Sequence, residues 1–363
     1  MLEQNINISR KCFIDNIRSV TILIVIVYHV IYMFNSVGVV RHITETGIPA
    51  FDTFCYFVYP WLMTLMFLLA GISVRYALQK YTAKQYLKER FNKLIIPFFG
   101  GMFLLGWING LVLSQFVDMF GENPVPSFIK YIVFSFAGMG PLWFIFQLFI
   151  VTIVLLLIRK VDKNDKIWAL AGKANIFILL ALVIPFWGSS FLFNMPIVTV
   201  FRNGIYLFVF LAGYYFFSHD KTIETLAKFG IPLLVIGTIL GTINVYYFYG
   251  DNFSENIYLQ HPLTNAYAWA MMLAILGFTQ KYFNKTNKFM DYVKSRSFFW
   301  YLCHYPIMVF IAYIIISFIK VNMIINYTLL LVFAFGVTIL FCEIVRLIPV
   351  LRYLLFGIKK RNK

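Results

Sequence analysis

The chain has 363 residues, of which 61% are hydrophobic and only 13% are charged, with a net charge of +16. Because soluble domains carry about 25% charged residues, this composition excludes a water-soluble globular protein. A large positive charge suggests a nucleic-acid partner in a soluble protein, but the cytoplasmic loops of membrane proteins are rich in Lys and Arg. We therefore expect a membrane protein without a nucleic-acid partner.

Ten apolar stretches are each long enough to cross a bilayer, which takes a helix of about 20 residues. They predict an all-α polytopic integral membrane bundle, and the lack of any linker in the sequence predicts a single domain over residues 1–363. Residues 128–136 are too few to cross and are predicted to lie at the membrane interface. The ten predicted spans are 18–40, 54–74, 94–116, 142–158, 174–192, 198–217, 229–249, 264–280, 298–319 and 325–345.

The basic residues orient this bundle. With the amino terminus inside, 27 of the 31 Lys and Arg residues fall on the inner side, as the positive-inside rule requires. The exceptions are Arg41, Lys130, Arg202 and Lys320. The first span has no small-residue cleavage site, so it is expected to stay as a helix. The sequence thus predicts a multi-pass protein of the cell (inner) membrane with both termini cytoplasmic.

The first span carries ionisable residues, which cost about 2.5–3.5 kcal/mol each to insert and are usually functional. Arg18 and His29 are separated by about 20° around the helix and by about 16 Å along its axis. Asp15 lies three residues before Arg18, near enough to pair with it. An imidazole above a guanidinium favours acid–base chemistry. The alternative is a membrane anchor at Arg18 and a helix-packing hydrogen bond at His29.

The loop after the second span is also rich in basic residues. Six Lys and Arg residues occur from Arg75 to Lys93, and Arg90 and Lys93 lie where the third span begins. Lys and Arg are natural partners of phosphate groups, so this loop can bind a phosphorylated ligand. The alternative is that these charges only set the membrane topology.

Four later residues are further candidates, and three of them have a structural alternative. His304 and Glu343, near the inner ends of the last two spans, can face one inner vestibule; otherwise His304 braces helix packing and Glu343 pairs with Arg346. Trp143 enters the fourth span from outside. Arg202, early in the sixth span, can meet an acidic or sugar ligand or snorkel to the outer surface. The cysteines have no metal-type spacing, so no metal is expected.

Six segments along the chain resemble the acyltransferase 3 family of integral membrane acyltransferases. The first helix of that family carries Arg and His with ten residues between them, as Arg18 and His29 are spaced here. Its third helix carries an Arg-x-x-Arg pattern, which here is Arg90 and Lys93. The tail is similar to the branch that contains the glucan-biosynthesis succinyltransferases. The six segments are IDNIRSVTILIVIVYHV, LMFLLAGISVRYAL, YLKERFNKLIIPFF, GPLWFIFQLFIV, SFFWYLCHYPIMVF and the tail VLRYLLFGIKK.

The resemblance implies an O-acyltransferase that moves an acetyl or succinyl group from cytoplasmic acyl-CoA to a hydroxyl of an extracytoplasmic glycan or lipid-linked saccharide. His29 and Arg18 are then catalytic, with His29 as general base, and Arg18, Arg90, Lys93 and Arg75 bind the donor. The accessory candidates are Asp15, His304, Glu343, Trp143 and Arg202.

No permanently bound cofactor is expected, because acyl-CoA is a donor substrate. The expected partners are membrane lipid, acyl-CoA and the saccharide acceptor, and a homo-oligomer is an open alternative. The rival functions are a transporter or exporter of a polysaccharide or lipid-linked substrate, and an assembly subunit of an envelope complex. Acyl-CoA binding distinguishes the enzyme from the transporter. The enzyme should lose acyl-CoA affinity on Arg90→Ala, whereas a transporter need not bind acyl-CoA.

Overall fold

A computed structural model describes residues 12–39, 42–43, 45–121, 124–195 and 202–359. The predicted outer position of Arg41 and the predicted start of the sixth span at residue 198 lie outside these residues. Numbered in chain order, the helices are α1 Cys12–Tyr32, α2 Pro49–Ala77, α3 Ala83–Leu113, α4 Ser127–Ala137, α5 Gly140–Val161, α6 Lys166–Ala171, α7 Ile176–Ser189, α8 Asn203–Tyr215, α9 Asp220–Phe248, α10 Asn256–Leu259, α11 Pro262–Tyr282, α12 Lys288–Ile319, α13 Met323–Leu347 and α14 Pro349–Phe356.

The predicted all-α class is confirmed. Among the described residues the only strand-like pairing is an isolated bridge between Asn194 and Arg202. Seven of the described helices are long and apolar enough to cross a membrane, namely α1, α2, α3, α5, α9, α12 and α13. Each coincides with a predicted span, so the chain forms a multi-pass helical membrane bundle.

The other three predicted spans fall on helices that are shorter or more polar. α7 and α8 are short, and α8 has 13 residues in its described part. α11 has 21 residues but carries Thr264 and Asn265 in its first turn. Both side chains are buried and hydrogen-bonded: Thr264 donates to Asn244 Oδ1 at 2.7 Å, and Asn265 donates to the Leu259 carbonyl at 3.0 Å. The length of these helices alone therefore leaves the number of crossings open.

α1 lies at the centre of the bundle, where it packs against α2, α11, α12 and α13. Its apolar face is closed off from the surroundings, since Ile22, Val25 and Ile26 are each no more than 1% exposed. Because α1 is enclosed on several sides, its polar residues face protein rather than lipid. This is the environment in which ionisable groups of a membrane helix are tolerated.

α2 and α8 approach closely where two glycines meet the facing backbone. A Cβ at Gly71 would lie 2.0 Å from the Phe210 carbonyl oxygen, and a Cβ at Gly213 would lie 2.2 Å from that of Leu68. Any larger side chain would force the helices apart, as expected for helix packing in membranes through small residues. This contact fixes α2, which contributes one wall of the cavity described below.

The C-terminal helix α14 braces the start of α3. Gly357, which follows α14, has a left-handed φ of +66°, and a Cβ there would lie 2.1 Å from the Asn92 carbonyl oxygen. Asn92 belongs to a π-helical turn of α3, Phe91–Ile95. Turns of this kind insert an extra residue into a helix and are frequent at functional sites. The tail segment therefore holds the part of α3 that carries Arg90 and Lys93.

Candidate active site

A cavity of about 330 Å³ lies at the end of the bundle where α1, α3 and α12 begin and α2 ends. Its described lining carries four cations, Arg18, Arg90, Lys93 and Lys294, and one carboxylate, Asp15. The remaining lining is mostly apolar and comes from α1, α2, α3, α5 and α12. A cavity with this excess of positive charge attracts an anion, and Lys and Arg side chains are suited to phosphate.

Arg18 is held in a fixed orientation on the cavity wall. Its Nη1 lies 3.1 Å from Asp15 Oδ1, as the three-residue spacing predicts, and its Nη2 donates to Ser73 Oγ at 2.8 Å. Ser73 in turn donates to the Leu69 carbonyl at 2.8 Å. The guanidinium is thereby tied to both α1 and α2 before any ligand arrives, which lowers the entropy lost on binding.

Arg90 and Lys93 face the cavity from the first third of α3 and have partners of different strength. Arg90 Nε donates to Tyr86 Oη at 2.5 Å, and its guanidinium carbon lies 4.9 Å from the centre of that ring. Lys93 Nζ pairs with Glu89 Oε1 at 2.6 Å, and its side chain is 55% exposed. Because Glu89 offsets the charge of Lys93, Arg90 contributes more to the positive potential of the cavity.

Two imidazoles meet further inside the bundle. His29 Nδ1 lies 3.2 Å from His304 Nε2, and their ring centroids are 5.1 Å apart. His29 Nδ1 also lies 2.8 Å from the Val25 carbonyl, and His304 Nδ1 lies 2.8 Å from the Tyr301 carbonyl. His304 is fully buried. The two sequence candidates on α1 and α12 are therefore in direct contact.

These carbonyls fix the tautomers, because a carbonyl oxygen can only accept a hydrogen bond. Both neutral rings must carry their proton on Nδ1, which leaves the lone pair of His304 on Nε2. That lone pair accepts from the Nδ1–H of His29, which is shared with the Val25 carbonyl. His29 Nε2 is consequently the basic nitrogen of the pair. The arrangement can take up one proton and stabilise the resulting imidazolium.

The cavity stops about one helical turn short of His304 on α12 and about two turns short of His29 on α1. Its lining reaches Tyr301 on α12 and Ile22 on α1, and His29 itself is not among its described lining residues. Tyr301 donates its hydroxyl to the Pro141 carbonyl at 2.5 Å, and its ring centroid lies 5.9 Å from that of His304. Three residues of helix, about 4.5 Å, separate Tyr301 from His304. Tyr301 therefore stands between the cavity and the imidazole pair.

A third histidine approaches the pair from the opposite end of the bundle. Tyr305 places its ring centroid 5.1 Å from that of His29, and its hydroxyl lies 2.9 Å from His42 Nδ1. His42 belongs to the connection between α1 and α2, and burial lowers its pKa from 6.5 to about 4. A Cβ at Gly140, where φ is +50°, would lie 2.6 Å from the Tyr305 ring. The glycine of the GPLW segment thus leaves room for Tyr305.

Two other candidates take part in contacts away from the cavity lining. Arg75 Nη1 pairs with Asp165 Oδ1 at 3.0 Å, and its guanidinium carbon lies 4.1 Å from the Trp168 ring centre. Glu343 bridges two arginines, with Oε1 2.7 Å from Arg296 and Oε2 2.7 Å from Arg346. Arg75 therefore holds the loop after α5. Glu343 pairs with Arg346, which is the structural alternative predicted for it.

Trp143 and Arg202 lie in one aromatic cluster. Trp143 stacks on Tyr206 with ring centroids 5.3 Å apart. Arg202 interacts electrostatically with Tyr206 and Tyr59, and its Nη2 donates to the Leu259 carbonyl at 2.9 Å. Arg202 is only 8% exposed, which argues against snorkelling to the surface. Both residues stay accessory candidates.

The sequence analysis missed three residues of this region, namely Lys294, Tyr305 and His42. Lys294 was assigned to a loop because the ninth span was drawn from residue 298, whereas α12 already begins at Lys288. An earlier helix start would have placed Lys294 and Tyr301, seven residues apart, on one face. No local pattern points to His42, because its partner Tyr305 is 263 residues away in the sequence.

Comparison with known proteins gives one family. A family model described as an acyltransferase domain matches residues 13–344. Glucans biosynthesis protein C from Escherichia coli strain UMN026 and from strain K12 are each 24% identical over 381 aligned residues, covering 97% of this chain and 97% of the relative. No solved structure gives a significant match. The family match includes every residue of the cavity and both contacting imidazoles.

Proposed function

This chain belongs to the acyltransferase family, and on that premise we propose that it transfers an acetyl or succinyl group from acyl-CoA to a hydroxyl of a glycan or lipid-linked saccharide. The name of the relatives, glucans biosynthesis protein C, favours a glycan acceptor. The cationic cavity favours a phosphate-bearing donor, and the imidazole pair favours base catalysis. These three observations support the same reaction.

The proposed topology places ten spans in the cell (inner) membrane with both termini cytoplasmic. The positive-inside distribution supports it, since 27 of 31 basic residues then face inward. α7, α8 and α11 are the three further crossings. α11 is more polar than its neighbours but packs against α2 and α9, and a helix covered by protein can cross with polar residues in its core. The cavity then opens to the cytoplasm, where acyl-CoA is available.

The donor binds with its phosphates near Arg18 and Arg90 and its thioester toward the imidazoles. Arg18 to His29 spans about 16 Å of α1. This separation lets the pantetheine arm cross the apolar upper part of the cavity, past Ile22 and Tyr301. Lys93 is a weaker phosphate partner because Glu89 already pairs with it. No permanently bound cofactor or metal is part of the proposal.

His29 Nε2 acts as the general base. It takes the proton of the acceptor hydroxyl while that oxygen attacks the thioester carbonyl carbon. The C–S bond then breaks, the thiolate leaves and takes the proton back from His29, and the products are an ester and free CoA. His304 Nε2 accepts a hydrogen bond from His29 Nδ1–H throughout, so it stabilises the transient imidazolium. The acceptor approaches from the Tyr305 and His42 side.

One observation carries this proposal: a contacting pair of imidazoles lies one to two helical turns beyond a cavity lined by four cations. The test is transfer by protein reconstituted in liposomes, with labelled acetyl-CoA or succinyl-CoA and candidate glycans. His29→Ala is expected to abolish transfer. His261→Asn is the matched control, because His261 is not a described lining residue of the cavity. It caps α11 by accepting from Leu263 N at 3.2 Å and packs on Tyr247 and Phe248, and Asn is a good capping residue. Transfer by His29→Ala at the wild-type rate would remove the proposed base.

A further inference from the structure

We propose that Lys294 is a donor-binding residue that holds the phosphorylated end of acyl-CoA together with Arg18. This inference rests on the proposed function and names a residue that neither the family resemblance nor the basic stretch from Arg75 to Lys93 indicates. Lys294 lines the cavity from α12, opposite the cations contributed by α1 and α3. Its burial, its register on α12 and its hydrogen bonds support the assignment independently.

The burial of Lys294 is unusual for a lysine that only sets topology. Its side chain is 7% exposed, whereas Lys288, at the start of the same helix, is exposed. Removing an ammonium group from water is unfavourable unless an anion or hydrogen-bond acceptors replace the water. A topogenic lysine acts equally well on the surface, as Lys288 does. The buried position therefore places the charge of Lys294 inside the cavity, where it can meet a ligand, rather than at the surface.

Lys294 is oriented by polar neighbours but keeps capacity for a ligand. Its Nζ donates to Thr286 Oγ1 at 2.7 Å, and the Asp291 carboxylate lies 3.6 Å away. An ammonium group has three N–H donors, so these contacts leave donor capacity for an incoming oxygen. The Asp291 side chain is 60% exposed, so water screens its charge. Asp291 therefore offsets the charge of Lys294 less than a buried carboxylate would.

The axial spacing of cation and imidazole on α12 is close to that on α1. Lys294 precedes His304 by ten residues, about 15 Å along the helix, and Arg18 precedes His29 by eleven residues, about 16 Å. α1 and α12 pack side by side, and His29 touches His304. The two cations thus lie at one level and the two imidazoles at another. A donor whose phosphates bind at the lower level directs its thioester to the upper one.

The intervening face of α12 completes this path. Ser297 and Tyr301 follow Lys294 at positions i+3 and i+7, so all three share one face of the helix, and all three line the cavity. α12 therefore presents in sequence a cation, a hydroxyl and an aromatic ring between the cavity mouth and His304. Lys294 binds phosphate as a point charge, whereas Arg18 offers a planar fork.

The test compares a full donor with one that lacks phosphates. Lys294→Met is expected to raise the KM for acetyl-CoA or succinyl-CoA, and the Kd for CoA, by about 10- to 100-fold, because a hydrogen bond to a charged group is lost. The KM for acetyl-pantetheine, which keeps the arm and thioester but has no phosphates, should not change. Lys294→Arg should keep most of the CoA affinity. Lys288→Met is the matched control and should behave as wild type with both donors.

The outcomes separate this inference from the proposed function. If wild-type protein neither binds CoA nor transfers an acyl group, the proposed function fails. If wild type binds CoA and Lys294→Met binds it equally well, only the role of Lys294 is overturned. An equal loss with acetyl-CoA and acetyl-pantetheine would show a structural role and would also overturn it.

A second measurement does not depend on the folding of a variant. Wild-type protein is treated with a small amine-reactive reagent, and the modification of Lys294 is quantified by mass spectrometry. Saturating CoA should lower the modification of Lys294, and pantetheine should not, while Lys288 should react equally in all samples. Unchanged reactivity of Lys294 at saturating CoA would overturn the inference.

Discussion

The contact between His304 and His29 can be tested by replacing His304 with leucine. In the wild type, His304 Nε2 lies 3.2 Å from His29 Nδ1 and is its only side-chain acceptor among the described residues. Leucine fills most of this fully buried space but cannot accept a hydrogen bond. His29 Nδ1–H keeps the Val25 carbonyl at 2.8 Å, so its ring stays in place. The variant therefore removes one partner of the imidazolium and leaves the base itself.

The expected effect follows from the strength of that hydrogen bond. A hydrogen bond to a charged group contributes about 1.5–3 kcal/mol, and each 1.4 kcal/mol corresponds to a factor of ten. Because the imidazolium forms only during reaction, the loss should fall on kcat, which we expect to drop by about 10- to 150-fold. The KM for acyl-CoA should change little, because His304 is not a described lining residue of the cavity.

Steady-state transfer from labelled acyl-CoA measures both constants, and thermal unfolding in detergent checks that the variant is folded. His304→Gln is the matched control, because its amide oxygen can take the place of Nε2 as acceptor and should restore part of kcat. A folded His304→Leu protein with the wild-type kcat would refute the positioning role of His304. A rise in KM without a change in kcat would refute it as well, since it would place His304 in donor binding.

Two further predictions concern the tail and the loop after α1. Gly357→Ala should lower stability by about 1–2 kcal/mol and weaken acyl-CoA binding, because φ is +66° and the new Cβ would meet the Asn92 carbonyl. The control is Gly336→Ala on α13, where a new Cβ would meet no other atom within 4 Å. If the two variants had the same unfolding temperature and the same KM, α14 would not brace α3. Burial lowers the pKa of His42 from 6.5 to about 4, so between these pH values the folded protein binds fewer protons at His42 than the unfolded chain does. The free energy of unfolding should therefore fall by about 3 kcal/mol as the pH drops from 6.5 to 4. His42→Gln should flatten that dependence in thermal unfolding scans, and an unchanged slope would contradict it.

Helix geometry allowed part of the site to be predicted from the sequence. The spacing of Asp15, Arg18 and His29 fixes their directions on α1, and the structure places Arg18 on the cavity and His29 against α12. The apolar stretches predicted the long helices because a bilayer demands about 20 apolar residues in a row. α11 is harder to assign, since neighbouring helices bury most of its side chains and relax that demand. α7 is harder to assign because it is shorter than a bilayer-spanning helix.

The remaining features depend on contacts between distant parts of the chain. His29 and His304 are 275 residues apart, and only the packing of α1 against α12 brings them together. Arg75 was assigned to the donor on charge alone, but its guanidinium contacts Trp168 of α6 and pairs with Asp165, the residue before α6. Charge and spacing cannot distinguish a cation that faces a cavity from one that holds a loop. Lys294 was missed because the ninth span was drawn from residue 298, whereas α12 begins at Lys288.

A structure of the protein with CoA bound tests the central claim most directly. We expect phosphates among Arg18, Arg90 and Lys294, a pantetheine arm that passes Tyr301, and a thiol sulfur that points to His29. A cavity that stays empty at saturating CoA, or a CoA molecule whose thiol points away from the imidazole pair, would contradict it.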